Sequence, residues 1–389
     1  MKQPLVYLLK SFLLLGCTSF GGYMALVAMI REKLVVRDKV ISDEIITEGV
    51  AIASVLPGPV AVNVAAYVGY VVAGTRGAVL AASGVLIPSF LLVMGFASLY
   101  FSYGEQLHAG AIMNGIIPVV LALLFTVAVN LGANHVKNVF DILILVGATI
   151  TLFFFPKYEA VLGILVVAGL LGNLFKKQAG SEVTIRWNQL GYLIVSVIVF
   201  LLVYAGARLI FTGNMNARLF TEFATVSLTL FGGGYVMIPM LKSLLVEQTQ
   251  WFTLDEFMAG IAAGQITPGP ILISSAFFGY KLSGVAGAIT ATVAIFFPSS
   301  VVMIVVSKFF IQVRANRYVQ AALAGIKPAV VGLIAAAAIS IFTDYWRSVN
   351  SIVFIVTLLI SFLLFFRFRI NPAIVVVISG VIGYFLYSL

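Results

Sequence analysis

Two stretches, Leu56-Pro57-Gly58-Pro59 and Thr267-Pro268-Gly269-Pro270, lie inside otherwise apolar segments. Proline there removes a helical hydrogen bond and clashes with the preceding turn. At membrane depth such a break survives only where the backbone is packed in protein or lines a polar cavity. A new half-helix is expected just after each break, with proline at its first position, where the missing N–H costs nothing. Its free N–H groups and positive dipole end suit an anion. Asn63 after one break, and Ser274 and Ser275 after the other, fall in the first turn or so and can donate further hydrogen bonds. The chemistry indicated is recognition of an anion rather than bond breaking.

Charged candidates are few. Lys327, in "AGIKPAV", falls about eight residues into an apolar segment, roughly 12 Å at 1.5 Å per residue. An ionisable residue at that depth is a candidate for the site, where its ammonium would balance a dianion. The other reading is a lysine snorkelling to the near interface. Glu48 and Glu222 are the acidic residues best placed within the membrane and are the candidates for carrying a coupling proton. Glu222 also stands four residues after Arg218, the spacing of an ion pair on one helix face. His108 and His135 fall at loop edges. With two His and one Cys, and neither Ser-x-x-Lys nor His-Glu-x-x-His, the chain offers no metal cluster and no activated nucleophile. No cofactor is implied, and without a Walker A motif the energy for any transport comes from a gradient.

The elements that carry these residues must cross a bilayer. The chain is 62% hydrophobic and 10% charged, against roughly 25% charged for soluble domains. Its +9 net charge sits in short loops such as 31–39 and 176–187, where positives set topology rather than bind nucleic acid. Lys2, an apolar run and Cys17 have the form of a cleaved lipoprotein signal. The segment continues past Cys17, however, and has a later counterpart at Thr229–Met237, so it reads as a first span. Thirteen membrane segments are expected in all, with no soluble insert.

An internal repeat organises them. Gly21 and Gly22, with Phe20, match Phe231, Gly232 and Gly233 at an offset of 211, which also relates Gly49 to Gly260 and the two Pro-Gly-Pro motifs. At an offset of 210 the match continues through Gly69/Gly279, Gly74/Gly284, Pro88-Ser89/Pro298-Ser299, Gly115/Gly325 and Pro118/Pro328. Glycine and proline dominate, so what repeats is a set of backbone irregularities. The expected division is a first membrane repeat over 1–187, a linker helix and loop over 188–218, and a second repeat over 219–389. If each Pro-Gly-Pro segment crosses the membrane, the repeats have six crossings and are inverted; if it dips in and returns, they have five and are parallel. A thirteen-crossing count leaves a small positive excess on the amino-terminal side, with the positives of 31–39 on the other.

The ordered motifs "SFGGY" (19–23), "LFGGGYVMIP" (230–239), "LPGPVAVNVAAYVGYVVAG" (56–74) and "TPGPILISSAFFGYKLSG" (267–284), each copy followed by "IPS" or "FPS", resemble the chromate ion transporters. Family members most closely tied to chromate resistance carry Pro and then His after the first Phe-Gly-Gly, where this chain has Tyr23 and Met24. The resemblance implies a two-repeat inner-membrane carrier whose halves face opposite ways and which exports chromate, with a link to sulfate. The reading is an all-α polytopic protein with broken helices in two inverted repeats, moving an oxyanion by alternating access. The alternative is an anion channel using the same helix-end electrostatics, or a carrier of another small anion. The candidate binding residues are Gly21, Gly22, Pro57, Gly58, Pro59, Asn63, Gly232, Gly233, Pro268, Gly269, Pro270, Ser274, Ser275 and Lys327.

Overall fold

The computed structural model describes residues 4–20, 23–104, 106, 108–175, 214–231, 234–308, 316–346 and 351–387. The expected linker helix 188–211 and Gly21, Gly22, Gly232 and Gly233 lie outside them. The described elements are helical and form two sets of seven in the same order. The first is α1 (Pro4–Thr18), α2 (Tyr23–Arg31, continued by a π-helical segment Glu32–Arg37), α3 (Asp43–Val55), α4 (Val60–Tyr103), α5 (Ala109–His135), α6 (Val139–Phe154) and α7 (Tyr158–Phe175). The second is α8 (Met215–Thr229), α9 (Met237–Lys242, continued by a π-helical segment Ser243–Gln248), α10 (Leu254–Ile266), α11 (Ser274–Ser307, after a 3₁₀ turn Ile271–Ile273), α12 (Arg317–Trp346), α13 (Ser351–Phe366) and α14 (Pro372–Tyr387). By length and composition, α4, α5, α7, α11 with its preceding turn, and α12 can each cross a membrane.

The arms on either side of each sequence break fold back on one another. Helices α1 and α3, of 15 and 13 residues, reach only about 20 Å, short of a hydrocarbon core of roughly 30 Å. Tyr7, near the start of α1, donates to Asp38, just past the end of the α2 arm, so that arm returns to the face where α1 began. Tyr7 and then Lys33, 3.0 Å away, hold the Asp38 carboxyl below the usual carboxylate range. A methyl group at Gly49 in α3 would lie 2.9 Å from the Tyr67 ring of α4. In one broken helix crossing the membrane those residues would be more than 20 Å apart. The segments around Phe20 and around Pro57-Gly58-Pro59 are therefore both re-entrant hairpins. The second repeat does the same: Arg218 at the start of α8 lies 5.0 Å over Trp251, beyond α9, and Gly260 of α10 packs on Phe277 and Phe278 of α11.

After the second hairpin the chain reverses again. Ala73-Gly74 and Ser283-Gly284 are non-helical inside α4 and α11, with Gly74 at φ 62° and Gly284 at φ 58°. This left-handed conformation favours glycine. The reversal brings Gly69 against the Gly77 carbonyl and Gly279 against the Gly287 carbonyl. The long second limbs of α4 and α11 then run through to the far side.

Those limbs fix how the repeats are related. The Phe101 ring, at the far end of α4, lies 4.9 Å from Phe277, midway along the second arm of the α10–α11 hairpin, and 6.0 Å from the Lys281 ammonium at the base of that hairpin. The exit face of one repeat is thus the entry face of the other, and the repeats are inverted. Both conditional topologies drawn from the sequence assumed that the segment 4–30 crosses. It does not: each repeat combines two re-entrant hairpins with a bundle that includes the long helices α4, α5 and α7 or α11 and α12, so inversion holds although the Pro-Gly-Pro segments dip in and return.

The hairpins also relocate charge. With the face where α1 begins taken as the first face, Lys10, Arg31, Lys33, Arg37, Lys39, Arg76, Lys137, Lys308, Arg317, Lys327, Arg367 and Arg369 lie toward it. Lys157, Arg218, Lys242 and Lys281 lie toward the second. That is twelve against four among the described residues, and the positives of 31–39 now join the majority.

The repeats interlock rather than sit side by side. Helix α5 packs on α13 and α14 of the other repeat, while α12 packs on α6 and α7. The repeated glycines mark these crossings. Gly115 meets Gly383 and the Ser379 carbonyl, and Gly325 meets Gly172 and the Ala168 carbonyl, too closely for a side chain. Lipid offers no hydrophobic drive for helix association, so close backbone approach supplies the dispersion contact that does.

Candidate functional site

The four hairpin tips meet in the interior. The Gly58 N–H donates to the Leu230 carbonyl at 2.8 Å, and the Gly269 N–H donates to the Ser19 carbonyl at 2.8 Å. These bonds are equivalent under the repeat offset. Each ties the Pro-Gly-Pro tip of one repeat to the residue just past the end of α8 or α1 in the other. Gly58 and Gly269 have φ of 111° and 103°, which turn the N–H toward the partner hairpin. They also lie against serines on the long limbs of the opposite repeat, Gly58 on Ser299 of α11 and Gly269 on Ser89 of α4.

A cavity of about 100 Å³ opens between the tips. It is lined by Val60 and Ala61 at the start of α4 and by Ile271 and Leu272 in the turn that starts the equivalent half-helix. First-turn N–H groups have no partner within their own helix, so two helix amino termini contribute to one space. Phe20, Tyr235, Gln265, Thr267 and Asn371 complete its polar and aromatic wall. Gln265 faces the Tyr235 side chain, and its Nε2 is buried without a hydrogen-bond partner among the described residues. Among the described residues its lining holds no lysine, arginine, histidine or carboxylate. Such a lining can offer neutral donors to a small anion but no counter-charge.

Asn63 stands fully buried beside this core. Its Oδ1 accepts from Ser300 Oγ at 3.1 Å and from Ser299 Oγ at 3.4 Å, and its Nδ2 points toward Gly58 without a partner. On the other side the equivalent residue is Ser274, whose hydroxyl donates to the Ile271 carbonyl at 3.0 Å. Ser275 Oγ is buried and unpartnered. The backbone of the site is symmetric and its side chains are not.

The predicted residues thus divide. Pro57, Gly58, Pro59, Asn63, Pro268, Gly269, Pro270, Ser274 and Ser275 come together at the tips. Phe20 and Gly234 flank Gly21, Gly22, Gly232 and Gly233, which lie outside the described residues, and both border the cavity. Lys327 does not join them. It is exposed on α12, beside His135 at the first-face end of α5. Glu48 is exposed on α3, within reach of the Tyr67 hydroxyl and roughly 15 Å along the helix from Gly58. Glu222 is half-buried on α8, and Arg218 stacks over Trp251. Sequence reasoning missed Ser19, Ser89, Ser299, Ser300, Tyr235, Gln265 and Asn371. For Ser89 and Ser299 the signal existed in the repeated Pro-Ser. For Asn371, in an unrepeated connection, there was none.

A family model described as "Chromate transporter" matches residues 6–173 and again 217–384, one copy over each set of seven helices. The chain belongs to the chromate transporter family. Among curated proteins it is 29% identical to an uncharacterised transporter of Methanocaldococcus jannaschii over 390 residues, covering 96% of this chain and 92% of that one. It is 26% identical to the chromate transport protein of Cupriavidus metallidurans over 394 residues, 100% of this chain and 94% of that one. The chromate transport protein of Pseudomonas aeruginosa is 27% identical over 403 residues, 99% and 93% of the two chains. No solved structure matches. The chain is thus a multi-pass membrane protein of a transporter family, with two inverted repeats.

Proposed function

We propose that this protein is a secondary carrier of a tetrahedral oxyanion, chromate first and sulfate second, which binds between the hairpin tips and is exposed to each face in turn. The observation that carries the reading is the pair of equivalent bonds, Gly58 N–H to Leu230 and Gly269 N–H to Ser19, beside a cavity lined by two half-helix starts. Helix amino termini and neutral donors suit a dianion, because each hydrogen bond to a charged group contributes about 1.5–3 kcal/mol. Without a fixed cation the ion is not held too tightly to leave. Each backbone bond between tips contributes only about 0.5–1.5 kcal/mol net, so either can open during a cycle. Inverted repeats make the two open states near-equivalents of one another.

The twelve-to-four distribution of Lys and Arg supports a cytoplasmic first face in a plasma membrane. Glu48 is the stronger candidate for a coupling proton, since it is exposed on a re-entrant arm and faces Tyr67 of the same hairpin. Glu222 is the second. Lys327, near the cytoplasmic end of α5, is left out of the site. The test is counterflow of radiolabelled chromate and sulfate in proteoliposomes, with and without a pH gradient. Saturable movement of label against its gradient supports a carrier. Ohmic anion current without counterflow would replace the carrier by a channel.

A further inference from the structure

The two faces of the molecule are not closed alike. On the second face, the hairpins of the second repeat are tied to helices outside them. Lys242, only 4% exposed, donates to Ser340 Oγ of α12 at 3.0 Å, pairs with Glu247, and lies 3.8 Å from Asp344. Gln248 donates to Glu159 at the start of α7 at 2.7 Å. Tyr345 of α12 donates to Asp255 of α10. Lys281 clamps the hairpin base through Glu256 at 2.6 Å and the Trp251 carbonyl at 3.0 Å, 4.7 Å from the Phe252 ring.

The equivalent positions on the first face make different contacts. Arg31, the counterpart of Lys242, pairs with Asp43 inside its own pair of hairpins, and both side chains are about half exposed. Arg37, counterpart of Gln248, bonds Glu32 in its own arm at 3.0 Å. Glu44, counterpart of Asp255, is exposed, and Lys281 is matched by Val71. The cavity between the tips follows the same asymmetry. Its wall includes Asn371 and Pro372, in the connection between α13 and α14 at the first face, both half-buried. At the equivalent position in the first repeat, Val161 in the first turn of α7 takes the place of Pro372 and is fully buried.

We infer that this is the conformation open toward the first face, and that Lys242 is the positioning residue that locks the second face by tying the α8–α9 hairpin to α12. The inference rests on the tip cavity being the transport site. The second arm of the hairpin changes from α to π at Lys242, where α9 gives way to Ser243–Gln248, so a bond formed there sets the position of the arm beyond it. A buried lysine that loses its partners is strongly destabilised, so opening must move the ammonium into water. The lock and the opening motion are therefore one event. Lys242 touches no transported ion in this arrangement; it acts through the arm it holds.

The experiment reads accessibility and needs no substrate, so it fails or succeeds independently of which ion is carried. In a Cys17→Ser background, Thr267→Cys places a thiol on the cavity wall, to be labelled by a membrane-impermeant maleimide in sealed vesicles of each orientation. The parent should label from the first face only. Lys242→Met, which keeps the stem and removes the charge, should raise labelling from the second face at least tenfold, while Lys242→Arg should not. If Lys242→Met fails to fold, Tyr345→Phe removes only the hydroxyl tie to Asp255 and should give a smaller rise in the same direction. Labelling of the parent equally from both faces would overturn the assignment of state. Unchanged second-face labelling in Lys242→Met, or in Tyr345→Phe where the former is not obtained, would overturn the lock.

Discussion

Alanine at the two equivalent glycines should not behave equivalently. Gly58 and Gly269 share a left-handed φ, so either alanine bears the Cβ strain of that region, roughly 1–2 kcal/mol. At Gly269 the nearest atom to the new methyl is Ser89 Oγ at 3.1 Å, the end of a rotatable side chain. At Gly58 the methyl would sit 2.2 Å from Ser299 Cβ and 2.5 Å from its Oγ, a collision no rotamer relieves. Overpacking of that kind adds roughly 1–3 kcal/mol, which brings Gly58→Ala to about 2–5 kcal/mol. At roughly 2 °C per kcal/mol for a large domain, the purified variants should melt lower by about 2–4 °C for Gly269→Ala and about 4–10 °C for Gly58→Ala. Because Ser299 Cβ is the obstacle, Ser299→Gly should return Gly58→Ala to the level of Gly269→Ala. Thermal shift in detergent, with initial uptake rates in proteoliposomes, measures both. Equal losses at the two glycines, or no rescue by Ser299→Gly, would refute the packing of each tip against the opposite repeat.

Other outcomes follow from the same geometry. Gly58→Leu or Gly269→Leu should abolish uptake while the protein still inserts in the membrane; normal uptake in both would remove the tips from the site. Cysteines at Lys39 and Asn316 should label from one face and a cysteine at Gly104 from the other; labelling of Lys39→Cys together with Gly104→Cys would mean that the first hairpin crosses. Asn63→Leu should cut uptake by about fivefold to a hundredfold, since Ser299 and Ser300 lose a buried acceptor, a loss of about 1–3 kcal/mol; wild-type uptake would exclude Asn63. Lys327→Gln should leave the half-saturating oxyanion concentration within about twofold of the parent, whereas a counter-ion to the substrate would be worth roughly tenfold or more.

The sequence exposed what was unusual about the backbone and concealed what the chain did next. Proline and glycine leave a local mark, so both breaks, their pairing and the convergence of Gly58 with Gly269 were legible. A hydropathy run has no mark for reversal. Residues 4–30 are apolar whether they cross once or fold back at Phe20, and only arm length and the loop positives separate the cases. The positives of 31–39 were that signal: they sat on the minority side of a crossing model because the model was wrong at α1. Gly74 and Gly284 were visible as repeated glycines, but a positive φ is not. Lys327 looked intramembrane because α12 is long, and a 30-residue helix has room for a lysine toward its first-face end.

What remains is why a symmetric frame should hold asymmetric side chains. Symmetry resides in the glycines and prolines, which set where the chain breaks, reverses and crosses, and in the proposed alternating-access cycle those features serve both end states. Side chains decide which end state is lower in energy. The second repeat carries Lys242, Asp255, Glu256 and Lys281, where the first carries Arg31, Glu44, Ile45 and Val71. Its hairpins are correspondingly more deeply packed: Phe257 through Gly264 are all buried in α10, whereas α3 buries only Ile46, Gly49, Ile52 and Ala53. A frame with matched ties on both faces would balance its two states, or lock both. Ties on one face alone bias the resting population by a few kcal/mol while leaving the geometry of the return path intact. In the proposed cycle, the duplicated glycines and prolines would serve both end states, and the ties particular to the second repeat, Lys242 to Ser340 and Lys281 to Glu256, would set the face at which the molecule rests.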